Sequence, residues 1–290
     1  MPIGFDNQVA LITGAAGGLG AAHALELARR GAAVFLFDKD PKVEQTASAL
    51  AADGRRAIAF VGDVSIASDC EAAVTACSSA LGPVDILVNN AGLLRDHSLE
   101  KQTEAEWQLV LDVHLTGTRH MTAAAWKAMA QRRYGRIVNT SSASGLYGNF
   151  GQTNYAAAKM GIAGFSRTCA LEGERHGIRV NCVAPVALTP MTERLWPESA
   201  RTQTDPALVS PIVAFLASRD CLHTGLIIAC GGGYFARVAI VESPGVRAAA
   251  GEELNAEWVA DRFEEASDLR GFAEPPTVMF ALNKAFNIAP

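Results

Sequence analysis

The stretch Leu11-Ile12-Thr13-Gly14-Ala15-Ala16-Gly17-Gly18-Leu19-Gly20 sets an apolar run of strand length against a turn carrying four glycines, and a helical period begins at its end. Residues without a β-carbon let the backbone approach a pyrophosphate, whose charge is then met by free amide N–H groups and the positive end of the helix dipole. A glycine-rich stretch alone is also an ordinary tight turn. The position between first strand and first helix makes this one a candidate nucleotide cradle, with Gly14, Gly17, Gly18, Leu19 and Gly20 as its contacts.

Outward from this turn, apolar runs of strand length alternate with longer stretches of helical period, the pattern of a parallel sheet covered by helices on both faces. Strands are expected at 9–13, 34–38, 57–62, 86–89, 136–140, 179–184 and 225–229. Helices are expected at 19–30, 41–52, 68–81, 104–132, 154–176 and 206–217. The alternation runs to about residue 235 with no linker rich in Gly, Ser or Pro, which predicts one α/β domain over 1–235. After Gly231-Gly232-Gly233 the pattern changes, and 236–290 is expected to form a helical extension, two helices joined at Glu274-Pro275-Pro276. Its apolar stripe, Val278, Ala281, Leu282, Ala285 and Phe286, predicts packing on the same or a neighbouring subunit.

The 290 residues are 49% hydrophobic and 19% charged with a net charge of −5, which excludes a disordered chain and lacks the basic footprint of a nucleic-acid binder. No apolar run reaches the length of a membrane span and the first residues do not resemble a signal peptide, so a cytoplasmic protein is expected. The six cysteines are scattered without C-x-x-C spacing and are read as reduced core thiols. No metal site is expected.

Asp38 closes the second expected strand, at the distance from the glycine turn where an acid accepts hydrogen bonds from the adenosine ribose. It would repel a 2′-phosphate, and position 17 is a glycine where a site for NADP would offer a basic residue. NAD is therefore the expected cofactor, although Lys39 lies close by.

Tyr155 and Lys159 stand four apart in a helical stretch and so share one face. With 4 tyrosines and 6 lysines in the chain, chance supplies about 0.08 such pairs. Ser142 precedes them at the carboxyl end of an expected strand, where open α/β sheets place their ligands. Bringing a phenol from ~10 to ~7 takes about 4 kcal/mol. A lysine ammonium about 4 Å away at an effective dielectric of ~20 supplies that amount. Tyr155 would then exchange the proton of a carbinol while a nicotinamide exchanges hydride, with Ser142 hydrogen-bonding the oxygen. The intact trio argues against a chain that binds NAD without chemistry.

These segments, TGAAGGLG at 13–20, NNAG at 89–92, Ser142 and YAAAK at 155–159, resemble the short-chain dehydrogenase/reductase family. The resemblance implies a Rossmann-type, doubly wound sheet of seven strands and Ser142-Tyr155-Lys159 catalysis, with the lysine also holding the nicotinamide ribose. It implies that Asp63 and Val64 meet the adenine, Asn90, Ala91 and Gly92 the adenosine ribose side, and Pro185, Leu188 and Thr189 the carboxamide. His114 replaces the asparagine whose backbone carbonyl holds a relay water in the family, so it enters the candidate catalytic set.

The segments 93–98, 113–115, 141–161 and 191–198 resemble a narrower group, the (3R)-hydroxyacyl-CoA dehydrogenases of peroxisomal multifunctional enzymes type 2, also 17β-hydroxysteroid dehydrogenases type 4, and their bacterial single-domain relatives. The implied substrate is a (3R)-3-hydroxyacyl-CoA, with a 17β-hydroxysteroid as the alternative. An apolar pocket from Leu94, Leu146, Tyr147, Phe150, Met191 and Trp196 would take either skeleton, and Arg95 and His97 are candidates to approach the thioester or the CoA phosphates. No hydratase domain or peroxisomal signal follows, which suggests a stand-alone enzyme. The resemblance implies a homodimer or homotetramer.

Overall fold

The computed structural model describes residues 2–187 and 204–286. The chain forms two compact units, Met1–Arg237 and Val238–Pro290.

In the first unit the strands are β1 (Val9–Thr13), β2 (Ala33–Asp38), β3 (Ala57–Val61), β4 (Ile86–Asn89), β5 (Gly135–Thr140), β6 (Ile178–Pro185), β7 (Ile227–Gly231) and β8 (Tyr234–Val238). They lie in the order β3-β2-β1-β4-β5-β6-β7-β8. Every pair from β3 through β7 is parallel. Strand order therefore reverses between β1 and β4, which opens a crevice at their carboxyl ends.

Register explains why the central strands carry continuous apolar runs. Ile12, Leu36, Val88 and Val138 line up in one row across four strands, and Leu11, Phe35, Leu87 and Ile137 in the next. Because side chains alternate across a sheet, the rows point to opposite faces and each has its own core. The first packs under α1 (Gly18–Arg29), α2 (Val43–Ala52) and α8 (Ser210–Ala217) through Leu27, Leu50 and Val213. The second packs under α3 (Ala67–Ala80), α5 (Gly117–Arg132) and α7 (Thr153–Glu174) through Cys70, Met121 and Ala170. All six cysteines are buried and free, as expected of core thiols.

Four features depart from the expected element list. The sheet has eight strands instead of seven, because the run of three glycines does not end it. Gly232 and Gly233 take φ of 58° and 79°, the left-handed pair of a tight two-residue hairpin turn, and Tyr234–Val238 returns beside β7. The helix expected at 104–132 is interrupted: α4 (Glu104–Leu111) passes through a π turn at Asp112–Thr116 into α5. A short helix, α6 (Ala143–Tyr147), follows Ser142. The helix expected at 206–217 breaks into a 3-10 turn, Pro206–Leu208, and α8, because Pro211 has no N–H to donate and restricts the residue before it.

The second unit carries α9 (Ala256–Ser267) and α10 (Val278–Phe286). The Asn255 side chain accepts from Trp258 N–H at 2.8 Å to start α9. Arg247 donates to the carbonyls of Lys284 and Ala285 near the end of α10, where a cation also meets the helix dipole. Val259, Phe263, Val278 and Leu282 are exposed in the single chain.

Candidate active site

The crevice holds a cavity of about 650 Å3 running from the glycine turn to the start of α7. At one end Gly14 (φ 67°) and Gly18 (φ 54°) take left-handed backbone. A β-carbon on Gly14 would lie 2.7 Å from Ala91 Cα, and one on Gly20 would lie 2.1 Å from the Gly14 carbonyl. These two glycines allow the turn to close on itself. Gly17 differs, since a β-carbon there would meet nothing within 4 Å. It caps α1 with no side-chain hydrogen bond, and the first helical turn has no acidic residue. A helix start with free N–H groups beside open space fits a pyrophosphate.

The NNAG segment is clasped to this turn. Thr13 Oγ1 accepts from the N–H of Asn90 and of Ala91, each at 3.0 Å, while Asn90 Nδ2 donates to the carbonyls of Thr13 and Gly14. At the end of β2, Asp38 accepts from Ala16 N–H at 2.9 Å through one carboxylate oxygen and from Asp40 N–H at 3.0 Å through the other. Both oxygens keep a lone pair for ribose hydroxyls. Gly14, Gly17, Gly18, Leu19, Asp38, Asp63, Val64, Asn90, Ala91, Gly92 and Pro185 all line the cavity. Gly20 sits behind it, and Leu188 and Thr189 lie outside the described residues. Lys39 and Lys42 share the rim with Asp38.

At the other end the cavity brings Ser142, Tyr155, Lys159 and His114 together. Ser142 leaves β5 as the cap of α6, its Oγ accepting from Ser144 N–H at 3.2 Å. Lys159 is buried, and its Nζ donates to the Thr140 carbonyl at 2.7 Å, while Ser141 Oγ donates to the Lys159 carbonyl at 2.8 Å. Gly145 lets α6 lie close on α7, since a β-carbon there would be 2.6 Å from Lys159 Cβ. His114 stands in the π turn, with its ring edge-on to Tyr155 at 5.1 Å. Its Nε2 lies 2.8 Å from the Leu93 carbonyl, and its Nδ1 is buried without a hydrogen-bond partner among the described residues. Burial and the nearby Lys159 ammonium hold the imidazole well below its usual range, so it is neutral.

The expected effect of Lys159 on Tyr155 is not met in the chain alone. The ammonium lies 5.5 Å from the phenol ring centroid. Burial pushes the Tyr155 phenol up, with the Ser142 hydroxyl pulling down and the Asp96 carboxylate adding a smaller upward push. Burial also lowers Lys159 to about 8. Desolvation is the largest influence on both groups, a cost that a calculation from separation alone leaves out.

Among the described residues the expected apolar pocket is met only in part. Leu94 lines the cavity, whereas Leu146, Tyr147 and Phe150 do not. Tyr147 is 69% and Phe150 92% exposed, the first as the last residue of α6 and the second just past the cap at Gly148. Met191 and Trp196 lie outside the described residues. Arg95 folds its guanidinium back onto the Leu94 carbonyl, and His97 faces Glu106 at 3.1 Å. Leu93, Asn149 and Gln152 line the cavity without having been singled out in the sequence. For Gln152 there was a signal, its place at the N-terminal edge of the helix that carries Tyr155 and Lys159.

A family model described as short chain dehydrogenase matches residues 8–200. The chain is 39% identical over 274 residues to peroxisomal multifunctional enzyme type 2 of Drosophila melanogaster, covering 91% of this chain and 46% of that one. It is 40% identical over 244 residues to a hydroxy(phenyl)methylsuccinyl-CoA dehydrogenase subunit of Thauera aromatica, covering 79% and 98%. The structure of the full-length Drosophila enzyme superposes with a TM-score of 0.85 at 33% identity, covering 99% of this chain and 50% of that one. The chain thus spans about half the length of the multifunctional relative. Among the described residues no helix is long and apolar enough to cross a membrane.

Proposed function

The chain belongs to the short-chain dehydrogenase family and is an oxidoreductase acting on a CH–OH group; from that premise we propose that it interconverts a (3R)-3-hydroxyacyl-CoA and the 3-ketoacyl-CoA with NAD. One observation carries the reading. A single cavity has an uncapped, acid-free helix start and Asp38 at one end and Ser142, Tyr155 and Lys159 at the other. The thioester is supported by the likeness to multifunctional enzyme type 2 and to a relative whose name includes a CoA substrate.

The residues fit a nicotinamide dinucleotide. The N–H groups at the start of α1 would hold the pyrophosphate, Asp38 the adenosine ribose, and Lys159 the nicotinamide ribose. When bound, the cofactor supplies the hydride acceptor, or the donor in the reverse direction. Asp38 favours NAD because its carboxylate would face the 2′-phosphate of NADP as a like charge.

Tyr155 holds or takes the carbinol proton at its phenolic oxygen, and Ser142 donates a hydrogen bond to the substrate oxygen. In the chain alone burial holds the Tyr155 phenol above its ordinary value, and the Ser142 hydroxyl works against that push. His114 positions this end: its Nε2 meets the Leu93 carbonyl at 2.8 Å and the Leu93 N–H at 3.1 Å, which holds the ring between the NNAG loop and Tyr155.

The test is initial-rate NADH formation from NAD with (3R)- and (3S)-3-hydroxyacyl-CoAs of graded length beside 17β-hydroxysteroids. Turnover confined to (3R) thioesters is expected. Turnover of the steroid alone overturns the substrate assignment, and silence on both rejects this branch of the family.

A further inference from the structure

Gln152 is unused by proton or hydride transfer, yet it is built into the cavity wall with care for its orientation. It is 6% exposed and precedes α7 as its N-cap, lining the same cavity as Tyr155. Its Oε1 accepts from Asn149 Nδ2 at 3.0 Å, and its Nε2 donates to Asp96 Oδ2 at 2.7 Å. A carboxylate accepts only, so the amide nitrogen must face Asp96 and the amide cannot be flipped. A primary amide has two N–H bonds, and Asp96 uses one. Since Gln152 lines the cavity, the second is available to whatever lies beside the reacting carbon.

We propose that Gln152 is a specificity-determining residue whose second amide N–H hydrogen-bonds a carbonyl oxygen lying β to the reacting carbinol. Gln152, Tyr155 and Ser142 line the same cavity, so a donor on Gln152 serves an acceptor on the same substrate whose oxygen is held by Tyr155 and Ser142. A 3-hydroxyacyl thioester presents such an oxygen. A compound with a lone hydroxyl leaves the desolvated N–H unpaired, which costs more than a missing apolar contact.

This inference rests on the alcohol–ketone reading above, and two measurements separate its failure from the failure of that reading. In the first, acetoacetyl-CoA is titrated calorimetrically into NAD-loaded protein, where no turnover occurs. Gln152→Met is expected to weaken binding about tenfold or more. In the second, kcat/KM is measured with NADH for acetoacetyl-CoA and for 2-pentanone, which lacks the second oxygen. Gln152→Met is expected to lose at least about tenfold on the thioester, mainly in KM, and less than about twofold on the simple ketone. Equal loss on both, the result of a merely structural role at the start of α7, overturns the proposal. No loss on either does the same. If wild type binds the thioester but reduces neither compound, the reaction reading falls while the Kd ratio still decides Gln152. Failure of wild type to bind it overturns the assignment. Should Gln152→Met not fold, Asp96→Asn leaves Gln152 in place but removes the acceptor-only partner. It is expected to cost about threefold on the thioester alone, and an unchanged value overturns the proposal.

Discussion

Burying Lys159 has a thermodynamic signature that can be read without substrate. Its ammonium is lowered from its ordinary 10.5 to about 8 by burial, with one hydrogen bond, to the Thr140 carbonyl, as its compensation. In the unfolded chain the lysine holds its proton to a higher pH, so between these values the unfolded state binds more protons and stability rises with pH. Below about pH 8 the fold bears the whole penalty, about 3 kcal/mol, which has vanished above pH 10.5. Lys159→Met fills a similar volume without the charge, and it leaves the Thr140 carbonyl short of a donor by an amount that does not depend on pH. The free energy of Lys159→Met relative to wild type should therefore fall by about 2 kcal/mol between pH 7.5 and pH 10. Cys70, Cys77, Cys169 and Cys230 are raised by burial without a contribution from Lys159 and cancel in the difference, whereas Cys182 feels the Lys159 charge. Urea unfolding at four pH values reads this directly. A difference that stays flat within about 0.5 kcal/mol would mean that Lys159 keeps its solution affinity for the proton.

Three further outcomes follow from the same geometry. Tyr155→Phe should lower turnover by several orders of magnitude while NADH binding, followed by fluorescence, stays near wild type; activity within about tenfold of wild type removes the acid–base role. Asp38→Asn keeps an acceptor for the Ala16 N–H and loses the charge, so the NAD-over-NADP ratio of kcat/KM should drop at least about tenfold, and an unchanged ratio would place selectivity elsewhere. His23 is buried against Ser210 and lowered to about 3, so it stays neutral in the fold while the unfolded chain protonates below 6.5. By pH 4 this costs wild type about 3 kcal/mol that His23→Leu should not lose, measurable as the difference between their acid unfolding curves.

What could be read from the sequence was whatever the backbone or a short helical spacing dictates. Gly14 and Gly20 announce themselves because no other residue fits against Ala91 or the Gly14 carbonyl, and Tyr155 with Lys159 because helical geometry puts i and i+4 side by side. The central strands were legible because burial on both faces leaves only apolar residues to choose from. Three kinds of feature were not. Gly232-Gly233 signals a turn but not whether a strand returns after it. Tyr147 and Phe150 are apolar and near the trio in sequence, yet they stand exposed at and just past the end of α6, a matter of local chain direction. Finally, the proton affinities of Tyr155 and Lys159 depend on how completely the fold removes water, which no spacing records.

The clasp between Thr13 and the Asn90-Ala91 backbone has a consequence for the order in which the chain is made. β1 leaves the ribosome early, but one of its two hydrogen-bonding edges belongs to β4, which does not begin until Ile86. At about 5–20 residues per second, that edge waits roughly 4–15 s for its partner. Throughout this interval Val9–Thr13, apolar on both faces, offers unpaired amides to any neighbouring strand. The glycine turn is thus begun with the first strand synthesised and closed only once β4 has been made, so nascent chains stalled before residue 86 should depend on a chaperone more than chains that have passed Asn89.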